Sequence, residues 1–209
     1  MDSFVLPEKF HKWVYEDRRE MVRGMGQGNV PPPEKMFLGF TRHNPVFISF
    51  GPAGLNGSVK GVGFVPKEEF LEEVTQAYLN HIEKGWRDGY SDEGLRVLTE
   101  TIWSPENEHK IDFSLMGSLE LAFKHSWENY QEIGEVTLLF FEPPAMSFEV
   151  RGRIEIHRDG PYQRFINAQH DVYHKPNMDR WPERPAYLIH IEEIYDNGLG
   201  EDAFGTRIL

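Results

Sequence analysis

The clearest hydrophobic pattern in the chain lies in residues 135–157. From Met146 onward, apolar and polar side chains alternate strictly as far as His157. A period of two predicts a β-strand with one buried face. The run before it, 136–141, is continuously apolar, which indicates a strand covered on both faces. Because Pro143 and Pro144 have no N–H group to extend a ladder, the pattern predicts a turn there and therefore a long β-hairpin.

Apolar residues at helical spacing predict helices in five other segments. Residues 67–84 and 118–130 have the most regular apolar faces, and the other helices are expected at 7–23, 91–100 and 160–173. Glu68 and Glu69 fall in the first turn of the 67–84 helix, where the helix dipole favours acidic side chains. Glycines and prolines interrupt residues 24–35, so the chain is expected to be irregular there.

Short runs of strand-forming residues predict the remaining strands, at 37–40, 46–50, 58–65, 109–115 and 186–195. Together with the hairpin they make six or seven mostly antiparallel strands with helices inserted between them. This order predicts an α+β fold, most simply a small closed (split) antiparallel β-barrel with flanking helices.

The same pattern suggests how the chain is organised. Residues 1–35 would form a helical arm on the domain or on a partner subunit, with Phe10 and Trp13 partly buried. Residues 36–198 would form the barrel domain with a helical insertion at 66–106, and 199–209 would be a C-terminal tail. A barrel of this size leaves strand edges and an apolar face to cover, so we expect a homodimer.

Composition limits the possible functions. The 209 residues carry 34 acidic and 22 basic side chains, a net charge of −12, which argues against nucleic-acid or anionic-membrane partners. The lack of cysteine excludes disulfides, thiolate metal sites and cysteine nucleophiles. No apolar stretch approaches the ~20 residues of a membrane span, and the N-terminal residues do not have the order of a signal peptide. We therefore expect a cytoplasmic protein that acts on a small molecule.

Ser58 and Lys60, beside Gly61 and Gly63, form a candidate phosphate site. A hydroxyl and an ammonium group supply the hydrogen bonds and the charge that a phosphate needs. Glycines weaken a strand, so they predict a bulge or a close approach of the backbone to another group. Lys60 is expected to be exposed.

Two arginines of the alternating strand are a second candidate. Arg151 and Arg153 point to the same polar face and would also suit a phosphate. The alternative is a solvated face on which these arginines pair with glutamates of neighbouring strands.

The nine histidines predict no metal site. His170 and His174 are four residues apart, so a helix would place both imidazoles on one side, as metal ligands require. No third ligand follows from the spacing, and Pro176 indicates that the helix ends nearby. His190 is interpreted as a structural histidine. Walker, GxGxxG and GxSxG motifs are also lacking, so P-loop, Rossmann and triad chemistry are not predicted.

Four segments, in their order along the chain, resemble the FMN-binding split β-barrel proteins related to pyridoxamine 5'-phosphate oxidase. They are SVKGVGFV (58–65), DFSLMGSLELAF (112–123), EVTLLFFEPPAMSFEVRGRIEIHRDGP (135–161) and AYLIHIEEIYDNG (186–198). The sequence departs from the oxidase in two places. Met116-Gly117-Ser118 replaces its Ser-Arg-Lys-Gly phosphate motif, and its C-terminal substrate signature is missing. Oxidation of vitamin B6 is therefore not predicted.

The resemblance implies a homodimer with FMN in a groove between the subunits. Ser58 and Lys60 would approach the phosphate or the ring edge, Ser118 and Lys124 would contribute from the next segment, and the backbone at Gly61 and Gly117 would allow close approach. In this family the isoalloxazine ring carries the redox chemistry, so no catalytic side chain is assigned.

The resemblance leads to two functional expectations. The first is an FMN-dependent oxidoreductase that acts by hydride transfer on a small or flat organic substrate, with Arg151 as a further candidate cofactor contact. The second is a non-catalytic binding protein of the same fold for haem, another tetrapyrrole or a deazaflavin, since one imidazole suffices as an axial ligand of haem.

Overall fold

A computed structural model describes residues 4–209 of the chain. The N-terminal helix is continuous through three segments, α1 (Glu8–His11), a π-helical turn (Lys12–Glu16) and α2 (Asp17–Gly26). The other helices are α3 (Pro33–Thr41), α4 (Glu68–Ile82), α5 (Tyr90–Thr101), α6 (His125–Tyr130) and α7 (Gly160–Asp171), with short 3-10 turns at Pro105–Lys110 and Met178–Glu183. The strands are β1 (Val46–Ser49), β2 (Asn56–Val59), β3 (Gly63–Pro66), β4 (Ile111–Leu119), β5 (Glu135–Glu142), β6 (Met146–His157), β7 (Ala186–Asp196) and β8 (Thr206–Arg207). Within 4–209, no helix is both long enough and apolar enough to cross a membrane.

The strands form one antiparallel sheet in the order β2-β1-β5-β6-β7-β4-β3, with β8 beside β7. Its two end strands, β2 and β3, follow each other in the chain and are joined only by residues 60–62. The sheet must therefore curl until its ends meet. No ladder joins β2 to β3 in the described part of the chain. The predicted α+β class is confirmed, but there are eight strands and the barrel remains split at this seam.

The β5–β6 hairpin is confirmed, and its inner face lies in the core. Leu138 pairs with Val150 and Phe140 with Phe148, and all four side chains are buried. The prediction that 136–141 is covered on both faces is wrong, because burial alternates along β5 and Phe141 is 53% exposed. On the outer face of this strand Phe141 is exposed, and Thr137 and Leu139 are partly exposed.

The N-terminal helix packs against its own barrel. Phe10 is in edge contact with Phe140 and Phe148, and Trp13 donates a hydrogen bond from Nε1 to Oε2 of Glu142 at 2.9 Å. Phe10 and Trp13 are fully buried in the main core cluster, rather than partly buried as expected. The helix therefore packs on the barrel of its own chain.

Three predicted elements are wrong. Residues 37–40 lie in α3, since Pro33 at its first turn starts a helix rather than a strand. Residues 118–130 are not one helix, because β4 continues to Leu119, where it pairs with β7, and α6 begins only at His125. Tertiary pairing here outweighs helical spacing. Residues 58–65 are two strands separated by 60–62.

The remaining elements agree with the sequence pattern. The helices predicted at 7–23, 67–84, 91–100 and 160–173 are present within a few residues, as is the last strand. The close approach predicted at the glycines is also observed, since a Cβ on Gly63 would lie 2.3 Å from Oε1 of Gln169.

We predict that Phe10→Ala lowers the free energy of unfolding by about 3–5 kcal/mol, because it removes a buried aromatic ring and leaves a cavity. Chemical denaturation at neutral pH measures the change. Phe37→Ala is the matched control, since Phe37 is 70% exposed and its removal should cost little. Equal effects of the two substitutions would contradict the packing of the N-terminal helix described above.

Candidate functional site

Two adjoining cavities lie at the seam between β2 and β3, and together we call them the seam groove. The wide end has a volume of about 310 Å³ and the narrow end about 100 Å³. Both are bordered by Lys60 and Ala122. The narrow end is lined further by Asn56, Ser58, Glu120, Lys124, His125 and Ser126. The wide end is lined mainly by Arg18, His43, Val59, Gly61, Val62, Leu98, Trp103, Gly117, Ser118, Leu121, Ile166, Gln169, His170 and Tyr173.

A buried carboxylate holds the two sides of the groove together. Glu120 follows β4 and its side chain is only 1% exposed. One of its oxygens accepts hydrogen bonds from Lys60 Nζ at 3.0 Å and from the Tyr187 hydroxyl at 2.6 Å. The other accepts the backbone N–H groups of Ala122 and Phe123, both at 2.7 Å. Four donors thus satisfy one carboxylate.

These contacts decide the ionisation of Glu120. Burial disfavours the charged form, but the Tyr187 hydroxyl, the two backbone N–H groups and the Lys60 ammonium outweigh it and lower the pKa of the Glu120 carboxyl. Burial, together with the neighbouring carboxylate, raises the pKa of the Tyr187 hydroxyl. Glu120 is therefore an anion at neutral pH, and Tyr187 remains a neutral donor.

Lys60 is not the exposed lysine that the sequence suggested. Its side chain is 12% exposed, its ammonium is paired with Glu120, and it lies 5.8 Å from the centre of the Tyr187 ring. This pair was not predicted, because residues 118–130 were expected to form one helix rather than the end of a strand. Removing the lysine charge will therefore disturb the fold as well as any ligand.

At the wide end, the predicted glycine and serine contacts have internal partners. The Ser118 hydroxyl donates to the carbonyl oxygen of Gly61 at 2.8 Å. A Cβ on Gly117 would lie 2.8 Å from Cγ1 of Ile166, so helix α7 packs directly on the strand backbone there. These contacts position the walls of the groove.

The narrow end is lined by hydroxyl groups and by an exposed lysine. The Ser58 and Ser126 hydroxyl oxygens are 2.9 Å apart, and Asn56 Nδ2 donates to Ser126 Oγ at 2.8 Å. Lys124 lines the same cavity and is exposed. Ser126 and Asn56 were not among the predicted residues, although Ser126 carries the same hydroxyl group as the predicted Ser58.

Arg151 lies away from these residues. It faces outward from β6, with Nε 2.6 Å from Oε1 of Glu149, and its guanidinium stacks on Tyr195. Its strand, β6, is three positions away from β2 in the sheet, which is about 14 Å across the strands. Arg153 likewise pairs with Glu192. Arg151 also lies 3.6 Å from Glu193 of β7, so both arginines match the alternative of arginine–glutamate pairs across strands. Six of the seven predicted contacts, all except Arg151, border the seam groove.

His170 and His174 lie close together, and His170 bonds a neighbouring carboxylate. The ring centres of His170 and His174 are 4.7 Å apart. His170 Nδ1 lies 2.8 Å from Oδ1 of Asp171, a carboxylate that Arg184 and Trp181 also bond. Burial opposes ionisation of Asp171, but these hydrogen bonds outweigh it and hold the pKa of its carboxyl well below the usual range. Among residues 4–209, no three His, Asp or Glu side chains are placed to hold a metal ion.

We predict that Lys60→Ala lowers the free energy of unfolding by about 1–3 kcal/mol, because it leaves the buried Glu120 carboxylate without one of its donors. Lys124→Ala, which removes an exposed lysine from the same groove, should change it by about 0.5 kcal/mol or less. Denaturant titration of both variants measures the difference. Equal effects would show that the Lys60–Glu120 pair does not stabilise the fold.

The pH dependence follows from Glu120. Its pKa is lower in the folded chain than in the unfolded chain, so its contribution to stability is present above the unfolded value, about 4.3, and is lost as pH falls through the folded value. Glu120→Gln should therefore lower stability at pH 7 and reduce the loss between pH 7 and pH 3. An unchanged acid profile in this variant would contradict the role given to Glu120.

Comparison with known proteins finds structural likeness only. No protein-family profile and no curated protein matches the chain. It is similar to HupZ of Group A Streptococcus, with 13% identity, a TM-score of 0.45, and coverage of 86% of this chain and 100% of that one. It is also similar to a "putative pyridoxamine 5'-phosphate oxidase" of Lactobacillus delbrueckii, with 15% identity, a TM-score of 0.42, and coverage of 79% of this chain and 93% of that one. An F420 reductase is similar with 14% identity, a TM-score of 0.39, and coverage of 73% of this chain and 88% of that one.

At these TM-scores the likenesses carry no argument about ligand or activity. The description of the fold rests on the sheet itself, whose antiparallel strands curl into a barrel that stays split between β2 and β3. The chain thus has an α+β split-barrel fold and resembles the family related to pyridoxamine 5'-phosphate oxidase, in fold alone.

Proposed function

We propose that the seam groove binds FMN and that the chain is an FMN-dependent oxidoreductase acting on a small organic substrate. One observation carries this proposal. A narrow end with hydroxyl groups and an exposed lysine continues directly into a wider end with apolar walls. A ligand with a phosphate at one end and a flat ring at the other matches this division.

The narrow end has the donors that a phosphate requires. Ser58 and Ser126 present hydroxyl groups. Lys124 presents an ammonium group that forms no hydrogen bond or ion pair within residues 4–209. Glu120 would repel a phosphate if its charge were unmatched. Its oxygens are already bonded by four donors, and Lys60 balances its charge. The residues present therefore fit a phosphate group, with Lys124 as the main cation.

The wide end suits a flat ring at its mouth. Val59 is 66% exposed and Leu121 is also exposed, whereas Leu98, Trp103 and Ile166 are buried. The mouth is thus formed by the seam, and the floor by α5, the residues after it and α7. A ring lying across the mouth would cover the floor and exclude water from the space beneath, where the substrate would bind.

The chain's own residues would bind and orient the cofactor. Bound FMN would supply the two-electron redox chemistry of its ring system. Lys60 and the backbone of 60–62 would line the edge of that ring, and α2 and α5 would close the opposite side. This arrangement gives the N-terminal helix and the helical insertion a shared task, which is to shape a substrate cavity.

A binding protein for haem or another tetrapyrrole is the second candidate. The observation that favours it is His170, which lines the wide end and has Nδ1 bonded to Asp171. Histidines that bind metals commonly donate their other nitrogen to a carboxylate in this way, which leaves Nε2 for iron. A cavity of about 310 Å³ is small for a macrocycle of four rings, so we place this candidate second.

We predict that the purified protein binds FMN and that Lys124→Gln weakens binding about ten- to a hundredfold, because a charge-assisted hydrogen bond to phosphate is lost. Quenching of flavin fluorescence on titration measures the affinity. Arg151→Gln is the matched control, since that side chain lies on the outer face, and it should bind as the parent does.

Two results would contradict this assignment. A parent protein that ignores FMN excludes the proposed cofactor, and an effect of Arg151→Gln without one of Lys124→Gln moves the phosphate to the outer face. If the parent instead gives a Soret band with haem that His170→Ala abolishes, the second candidate replaces the first.

We also propose that the chain forms a homodimer through the outer face of β2, β1 and β5. Val59, Val46 and Leu139 lie opposite one another across these three strands, and Phe141 extends the row. Val59 and Phe141 are exposed, and an exposed apolar patch is typical of a subunit contact. A second copy placed there would also reach the mouth of the seam groove, because Val59 belongs to both.

Light scattering at low micromolar concentration should therefore give about twice the chain mass of 24.4 kDa. Val59→Lys should shift the protein towards the monomer, because it places a charge in the apolar row. Val30→Lys, which changes an exposed valine outside the sheet, is the control. A monomeric parent protein would contradict the proposal.

A further inference from the structure

Arg18 is a partly buried cation that pairs with no carboxylate of the described residues. It belongs to α2 and lines the wide end of the seam groove. Its Nε and Nη1 atoms are inaccessible to solvent and have no hydrogen-bond partner within residues 4–209. The neighbouring arginines differ, since Arg19 bonds Glu108 at 2.8 Å and Arg42 lies 3.2 Å from Glu142. In the described chain, no carboxylate lies within ion-pair distance of Arg18.

Arg18 stays protonated in its surroundings, but no carboxylate of the described residues pairs with it. Burial lowers the pKa of Arg18 to about 10, while the Tyr173 hydroxyl raises it and Arg42 lowers it further. The side chain is therefore still protonated at neutral pH. Its guanidinium lies 5.1 Å from the centre of the Trp103 ring, and such a contact offsets only part of the cost of burial. A buried charge with unused donors is costly unless an anion joins it.

A second unused polar atom faces the same cavity. His43 Nδ1 is also buried and without a partner in the described residues, and His43 lines the wide end with Arg18. Leu98, Trp103 and Ile166 add buried apolar side chains to this lining, beside the polar Gln169, His170 and Tyr173. The cavity therefore combines a concentrated set of donors with an apolar wall.

We propose that the floor of the wide end binds the carboxylate of a small organic acid whose apolar body packs against Trp103 and Leu98. Arg18 donates two N–H groups to the carboxylate, and His43 supplies a further nitrogen. Bidentate pairing of a guanidinium with a carboxylate gives both affinity and orientation. As the substrate of a flavin enzyme this acid rests on the proposed function, but the anion site itself does not require FMN.

Thermal unfolding of the full chain without FMN tests the site, with benzoate as the probe and neutral benzamide as its isostere, at constant ionic strength. Benzoate should raise the melting temperature of the parent in a saturable manner, and benzamide should not. Arg18→Met should weaken the apparent benzoate affinity about ten- to a hundredfold. Arg18→Lys keeps the charge but not the paired donors, so its apparent benzoate affinity should lie between those of the parent and Arg18→Met.

Arg19→Met is the matched control on the same helix. It should lower the melting temperature, because Glu108 loses its partner, and leave the shift produced by benzoate unchanged. The proposal is overturned if benzoate gives the parent no greater shift than benzamide, or if Arg18→Met retains the full shift. Failure to bind FMN would leave these results unaffected, so the two proposals fail separately.

Discussion

The site depends on one buried carboxylate. Glu120 is placed where a charge is costly unless it is fully bonded, and it receives donors from three parts of the chain. Lys60 reaches it from the link between β2 and β3, Tyr187 from β7, and two backbone N–H groups from the turn before α6. The same bonds hold Phe123 in a left-handed conformation, φ +53°, that a phenylalanine rarely adopts. The seam can therefore stay open without losing its shape.

The groove that results has two chemical environments. The narrow end has two serine hydroxyl groups and the exposed Lys124, whereas the floor of the wide end holds the partly buried Arg18 beside Trp103. The N-terminal helix and the insertion at 66–106 supply most of that floor, so under the proposed function these two segments would select the substrate. Under the two proposals an anionic group would bind at each end of the groove. The phosphate of FMN would bind at the narrow end, and the carboxylate of the substrate would bind at the floor of the wide end.

Much of the fold follows from the sequence, because its longest elements have a single strong pattern. Alternation from Met146 to His157 specifies β6, and the apolar faces of α4 and α7 are equally plain. The segment after Gly117 shows where such reasoning fails. Its apolar spacing suits a helix, yet pairing with β7 extends the strand, and only the tertiary structure decides between them.

The site was less accessible to sequence reasoning for the same reason. Ser58 and Lys60 were found because hydroxyl and ammonium groups suggest phosphate binding, whereas Lys124 was implied by the family resemblance. Glu120 and Arg18 were missed because an acid or a base on a helical pattern is usually solvated, and only packing shows that these two are buried. Arg151 was selected by its charge and by the alternation that places it on the polar face of β6. Its distance from the seam depends on the order of the strands in the sheet, which spacing does not give.

A crystal structure of the protein with FMN would test the central proposal most directly. We expect the phosphate within hydrogen-bond distance of Lys124 and the hydroxyl groups of Ser58 and Ser126. The ring should lie across the mouth of the wide end beside Lys60 and Gly61. Density for FMN at the outer face near Arg151, or none at a concentration that saturates the protein in solution, would contradict this account.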